Sequence, residues 1–213
     1  QEGLNFYSRD LDKFNSITFN EANQNIKFAV HAIEEFNDST LLVGTHQNGL
    51  LKLNKNDYSF KRVNYKSNNS ISSLLINSIV KTEDEKFIVG TNQGLMTFDP
   101  YNSTLQLTKF DLNDKYETVE SSIESILIDN NKTLWLGTSS KGLIKITNTD
   151  DSYKIQNLMI TNKRVLSLSL KQDGNILCGT ENDGLFEISN EKNEIENYKF
   201  DKNIQDGIKS NSI

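Results

Sequence analysis

The chain has 213 residues, a formal net charge of −6, a hydrophobic fraction of 35% and a single Cys, Pro and Trp. The acidic balance, with no basic stripe to interrupt it, argues against nucleic acid and anionic membrane surfaces as partners, and the lone Cys178 excludes an intrachain disulfide. No apolar run approaches the ~18 residues of a membrane-spanning helix, and the first residues, Gln1-Glu2-Gly3-Leu4-Asn5-Phe6-Tyr7, lack the regions of a signal peptide; this segment is expected to make no direct membrane contact.

In chain order, Gly3-Leu4-Asn5-Phe6-Tyr7 looks like the second half of a unit that recurs downstream, and Asp10 to Phe19 adds a turn and a short outer strand. The chain is therefore expected to enter in the middle of a repeat. The first full unit begins at Ile26. Its opening run, Lys27 to Glu34, is nearly continuously apolar with β-branched members, which predicts a strand buried on both faces. Leu74 to Val80, Ile123 to Ile128 and Val165 to Leu170 are its counterparts.

A polar turn follows each run: Asn37-Asp38-Ser39, Glu83-Asp84-Glu85, Asp129-Asn130-Asn131 and Gln172-Asp173-Gly174-Asn175. A second strand then ends in Gly-Thr, at Gly44, Gly90, Gly137 and Gly179, so the period is about 45 residues, in the range of propellers and solenoids. Ile33, Ile79, Ile126 and Leu168 precede those glycines by one constant offset, which predicts a hairpin of preserved length. After two or three polar residues, Gly-Leu opens a third strand. A glycine at each edge of that turn points to positive φ or to close approach of neighbouring backbone. The fourth strand, Phe60 to Tyr65, Leu105 to Phe110, Ile155 to Leu158 and Ile195 to Phe200, alternates apolar with polar, as expected with one face near water.

Four strands per unit, ordered from most to least apolar, predict an all-β fold of β-propeller blades, each a four-stranded antiparallel sheet. No segment keeps a helical period, which excludes a helical solenoid. About four full blades are expected, at 26–70, 71–117, 118–160 and 161–203, with part-blades at 1–25 and 204–213. Asp206 to Ile213 reads as the approach to one more inner strand.

Thr133-Leu134-Trp135-Leu136-Gly137-Thr138, Gly94-Leu95-Met96-Thr97-Phe98-Asp99-Pro100 and Gly207-Ile208-Lys209-Ser210-Asn211-Ser212-Ile213 resemble the second strand, third strand and opening of the two-component regulator propeller repeat. That repeat is found in the extracytoplasmic sensors of Bacteroidetes hybrid two-component histidine kinases. Departures are the missing Pro at Lys209 and the replacement of Trp by Leu42, Ile88 and Leu177 at the sites equivalent to Trp135. The resemblance implies a periplasmic sensory segment of a membrane-anchored parent, without kinase, receiver or DNA-binding parts of its own, recognising a glycan or other polar ligand and performing no catalysis.

In a propeller the turns between second and third strands share a face around the axis with the links between blades. The turn residues are His46-Gln47-Asn48, Asn92-Gln93, Ser139-Ser140-Lys141 and Glu181-Asn182-Asp183; the links include Lys27, Phe28, Asn68-Asn69-Ser70, Glu120-Ser121 and Lys163-Arg164. Amides, hydroxyls and mixed charges suit a sugar, with Arg164 or Lys141 available to an acidic one, although turns are polar in any case because they meet water. Two His in all, with no Cys/His cluster, argue against a metal site or any other cofactor. His31 is expected to be a packed strand residue, the acidic turns Glu83-Asp84-Glu85 and Asp150-Asp151 solvated, and Cys178 a small core hydrophobe like Val43, Val89 and Leu136. Two alternatives stand beside the sensor. One is a propeller lyase similar to those that open cyclic antibiotics, with His46 as its candidate base. The other is an assembly role, in which open blade edges pair to give a homodimer.

Overall fold

The computed structural model describes residues 4–8, 13–17, 19–21, 24–26, 29–65, 74–113, 115–149, 152–190, 194–204 and 207–213. The sequence expectations on Gly3, Asp10, Lys27, Phe28, Asn68-Asn69-Ser70, Asp150-Asp151 and Asp206 lie outside the described residues. Among the described residues there is no helix, and so none long and apolar enough to cross a membrane.

Four sheets repeat one antiparallel up-and-down order, that of β-propeller blades. Blade I runs through Val30–Asn37, Thr40–Thr45, Leu50–Asn54 and Phe60–Arg62. Blade II comprises Ile76–Lys81, Phe87–Thr91, Gly94–Asp99 and Thr104–Leu107, and Asn64–Tyr65 adds to its outer edge in parallel. Blade III is Ile123–Ile128, Leu134–Thr138, Leu143–Asn148 and Tyr153–Leu158; blade IV is Val165–Leu170, Ile176–Thr180, Leu185–Ile188 and Ile195–Tyr198. Among the described residues three two-stranded ribbons accompany the blades, pairing Leu4–Ser8 with Lys13–Ile17, Phe19–Glu21 with Gln24–Ile26, and Phe110–Asp111 with Tyr116–Glu117. By packing, the chain divides into one unit of Gln1–Val89 with Met96–Gln106 and another of Gly90–Leu95 with Leu107–Ile213.

The core corrects one expectation. The most deeply buried strands are the second ones: Leu42 with Val43 in blade I and Trp135 with Leu136 in blade III close both faces, while Phe87 with Val89 in blade II and Ile176 with Cys178 in blade IV close one. The inner strand of blade I instead alternates, leaving Ile33 45% exposed, because only alternate residues of a pleated strand can turn toward one neighbouring blade.

The two glycines of the repeat do different work. The Gly of Gly-Leu takes positive φ in every blade, +66° at Gly49, +128° at Gly94, +66° at Gly142 and +86° at Gly184. The Gly of Gly-Thr lets the next blade approach. A methyl at Gly90 would stand 2.9 Å from Ile123 Cγ2, and one at Gly137 would stand 2.7 Å from both Val165 Cγ1 and the Val165 carbonyl oxygen. Gly44 meets Ile76 in the same way within the first unit, and Gly179 meets Ile213, whose amide donates to the Thr180 carbonyl at 3.0 Å. Ile213 thus occupies in front of blade IV the place that Val165 occupies in front of blade III.

Candidate functional site

Each turn between second and third strands is built on a buried threonine. Thr45, Thr91, Thr138 and Thr180 are all 0% exposed, although each carries a hydroxyl. Burial of a hydroxyl is unfavourable unless it is bonded, and here every one is bonded twice. Thr45, Thr91 and Thr138 Oγ1 donate to the carbonyls of Gly49, Gly94 and Gly142 at 2.8 Å, and Thr180 Oγ1 to Gly184 at 2.7 Å. In return the four oxygens accept from the amides of Asn48 (2.9 Å), Gln93 (3.1 Å), Lys141 (2.8 Å) and Asp183 (3.2 Å). The turn is also tied to the start of its own inner strand, since His46 N–H donates to Ala29 O, Ser139 N–H to Ser122 O and Glu181 N–H to Arg164 O, at 2.9–3.0 Å. The backbone that carries the predicted site residues is therefore fixed.

Their side chains divide into two groups. Among the described residues no side-chain bond holds Gln47, Gln93, Ser139, Ser140, Lys141 or Asn182. Others are engaged within the protein. In the first unit Asn48 Oδ1 accepts from Arg62 Nη1 at 2.8 Å. In the second, Asp183 takes the Thr161 hydroxyl and the Lys199 ammonium, each at 2.7 Å, and chiefly the Lys199 bond holds its carboxyl below the usual aspartate range. Arg164 Nη2 lies 2.8 Å from Glu124 Oε2 and Nη1 lies 3.9 Å from Glu181, so the guanidinium expected to await an acidic sugar already has a carboxylate. The Glu124 bond, its largest influence, pushes the Arg164 pKa up. The Glu124 side chain is only 10% exposed, and Ser122 Oγ donates to its other oxygen at 3.1 Å.

Glu124 was not a sequence-predicted site residue, and a β-bulge accounts for it. In blade III Ile123 pairs with Thr138 and Ser125 with Gly137, so Glu124 is left over; in blade I the same break leaves His31, and in blade IV Leu166. A bulge bends the strand and re-aims the extra side chain. The sequence does hold a trace of it, a polar residue interrupting an otherwise apolar run at both His31 and Glu124. His31 is consequently not the packed residue expected of it. It is exposed, and its ring lies 5.2 Å from that of His46, centroid to centroid. Glu83, Asp84 and Glu85 are exposed, and among the described residues no group of three or more His, Cys, Asp or Glu side chains is placed to hold a metal ion.

No protein-family model matches the chain. A histidine kinase, P4, of Formosa agariphila is 25% identical over 93% of the chain, which spans 16% of that protein. The extracellular domain of the proposed hybrid two-component system BT4673 of B. thetaiotaomicron superposes with a TM-score of 0.76 at 21% identity, covering 99% of this chain and 27% of that one. Virginiamycin B lyase of Staphylococcus aureus gives a TM-score of 0.57 at 15% identity, over 81% of this chain and 56% of that one. The chain is thus similar along nearly its whole length to a histidine kinase and to the extracellular domain of a proposed hybrid two-component system, and it spans 16% of the one and 27% of the other.

Proposed function

We propose that the chain is an extracytoplasmic sensory segment of a hybrid two-component signalling protein, recognising a glycan or similar polar ligand without catalysing a reaction. The observation that carries this reading is the likeness over almost the whole chain to the extracellular domain of one such system and to a histidine kinase. The turns add chemistry suited to it. In the second unit, buried threonine hydroxyls fix the backbone, while Gln93, Ser139, Ser140 and Lys141 keep hydrogen-bonding groups that no described residue uses. Preorganised backbone with uncommitted polar side chains is what a hydroxyl-rich ligand needs, because few groups are left to be ordered on binding. Lys141, rather than the carboxylate-bound Arg164, is then the cation that meets an acidic ligand, and Arg164 positions Glu124.

The test is calorimetric titration of an oligosaccharide panel, neutral and uronic, against the complete extracytoplasmic region and its Lys141→Glu variant. Binding that is weakened by charge reversal at Lys141 supports the reading. Absence of any ligand, with signalling intact after reversal of both Lys141 and Arg164, overturns it.

The lyase alternative has the likeness of fold to virginiamycin B lyase. Among the described residues, the ring in contact with its candidate base, His46, is a second imidazole, His31, where that reading expects an acidic partner.

A further inference from the structure

From the pairing of His31 with His46 we infer a binding site for a borderline divalent transition ion such as Zn2+ or Ni2+, built on blade I. The inference is independent of any glycan and would stand if no sugar bound. Both rings belong to the first unit, and both sit on backbone that is held in place. His31 is the extra residue of the bulge between the Val30–Thr45 and Ala32–Gly44 pairs. His46 opens the turn that Thr45 ties to Gly49, and its own amide donates to Ala29 O at 2.9 Å. The same irregularity that removes His31 from the packed face therefore aims it at the neighbouring turn.

The separation and tilt of the two rings fit one shared ion. Two imidazoles bound to a tetrahedral centre through Zn–N bonds of about 2.0–2.1 Å place their ring centroids roughly 5 Å apart, and here the centroids are 5.2 Å apart at an interplanar angle of 55°. A face-to-face stack would bring the planes nearly parallel and leave no common point for a lone pair from each ring. Among the described residues neither imidazole gives or takes a side-chain hydrogen bond, so no described side chain competes with an ion for the nitrogens. Both residues are exposed, so an ion reaches them without any rearrangement of the core.

The donor set selects the class of ion. Imidazole nitrogens suit Zn2+, Ni2+ and Cu2+, whereas Ca2+ and Mg2+ require oxygen donors that this pair does not offer. Two protein ligands leave further positions to water, in contrast to the closed four-ligand shell of a structural zinc. The site is accordingly one of exchangeable ion binding, with open positions facing solvent, and the bound ion would bridge the inner strand to the turn.

The experiment is isothermal titration of Ni2+ and of Zn2+ into the whole chain with any polyhistidine tag removed, beside His31→Asn, His46→Asn and, as a control on the same turn, Gln47→Ala. One ion per chain is expected, at least tenfold weaker in each His variant and unchanged in Gln47→Ala. Two further readouts separate a shared site from a single accessible ring. Paramagnetic Ni2+ should broaden both imidazole resonances together, and Zn2+ should raise the thermal midpoint of the parent chain but of neither His variant. Equal affinity in His31→Asn and the parent, broadening of one ring alone, or no ion bound would each overturn the inference.

Discussion

Thr138 Oγ1 donates to the carbonyl of Gly142 at 2.8 Å from a side chain wholly buried, and the same bond joins threonine to glycine in all four blades. The constancy of Gly-Thr and Gly-Leu at either side of one turn has its cause here. Threonine supplies the hydroxyl that both accepts and donates inside the turn, and glycine supplies the positive φ at which its carbonyl faces that hydroxyl. Thr138→Val keeps the shape, removes the hydroxyl and leaves the Lys141 amide without its acceptor; it is expected to cost about 1–3 kcal/mol. Thr138→Ser, which restores the hydroxyl, should recover most of the loss. Urea unfolding followed by tryptophan fluorescence measures both.

Glycines at two sites should respond unequally to the same change. At Gly137 an added methyl meets the Val165 carbonyl oxygen at 2.7 Å, and backbone cannot swing aside as a side-chain tip can. At Gly174 φ is +85° but nothing lies within 4 Å of the new methyl. Gly137→Ala is thus expected to lose about 1–3 kcal/mol or more through forced separation of neighbouring blades. Gly174→Ala should lose only the roughly 1 kcal/mol of a left-handed non-glycine residue. A Gly174→Ala chain less stable than Gly137→Ala would refute this reading of why Gly-Thr recurs.

How far the sequence foretold the molecule depends on which physical signal each feature leaves. The hairpin register was legible, because the constant offset of Ile33, Ile126 and Leu168 from the repeat glycine puts them opposite Val43, Leu136 and Cys178. The glycine roles were legible as a pair of alternatives, and the two glycines of each turn take one apiece. Burial was misread in the inner strand, since composition reports how apolar a run is and not how many neighbours cover it; Ile33 is apolar and half in water. The bulge was not legible from periodicity, because its extra residue is polar at His31 and Glu124 but apolar at Leu166, so no one residue type marks it, and the exposure of His31 and the Glu124–Arg164 pair go unread together. Asn64–Tyr65 corrects the reading of Phe60 to Tyr65 as one strand of the first unit: blade I's fourth strand ends at Arg62, and these two residues pair in parallel with blade II.

Asp129 anchors the only tryptophan. It is 5% exposed, accepts Trp135 Nε1 at 2.9 Å and Asn190 Nδ2 at 3.1 Å on one oxygen, and takes the Asn131 and Thr133 amides, each at 2.9 Å, on the other. Lys145 completes the arrangement, its ammonium 4.7 Å from the centre of the Trp135 ring and 3.2 Å from Asn190 Oδ1. Asp129→Ala strands several donors in a region closed to water and is expected to cost about 2–4 kcal/mol, at the upper end of single-residue effects. Because the indole loses its acceptor, the native emission maximum should shift as well. Stability and emission both unchanged would show that Asp129 is not the anchor.

Cys178 tests burial at the second strand of blade IV. It is 0% exposed among Trp135, Val165, Ile176 and Phe186, and burial alone pushes its thiol up to about 12. The thiolate is the reactive form, so Cys178 should resist a thiol reagent at neutral pH in the native chain and react fully once urea unfolds it. Reaction in native buffer at the rate of a free thiol would show the core to be open there.

The response to acid follows from three carboxylates bonded to lysines. Asp84, Asp183 and Glu187 are held below their ordinary values, in each case chiefly by a lysine bond: Lys86, Lys199 and Lys171 respectively. A carboxyl depressed in the folded state binds protons more weakly there than in the unfolded chain, so its contribution is complete above the unfolded value, roughly 4. That contribution disappears as pH falls through the lower folded value. The lysine side has the opposite sign. Lys171 is raised by Glu187 and then Asp173, so its share is present at neutral pH and is lost only in strong alkali. Stability should therefore be level from pH 6 to 8 and fall below about pH 4. These groups are partly solvated, with side-chain exposures of 61% for Asp84, 24% for Asp183 and 17% for Glu187, so each effect is modest. Asp183→Asn removes one titrating group while keeping an oxygen for Thr161; it should lower stability slightly at pH 7 and flatten the fall between pH 5 and 3. Urea midpoints across that range, parent against variant, decide it: parallel curves would mean that the Lys199 bond does not couple Asp183 to folding.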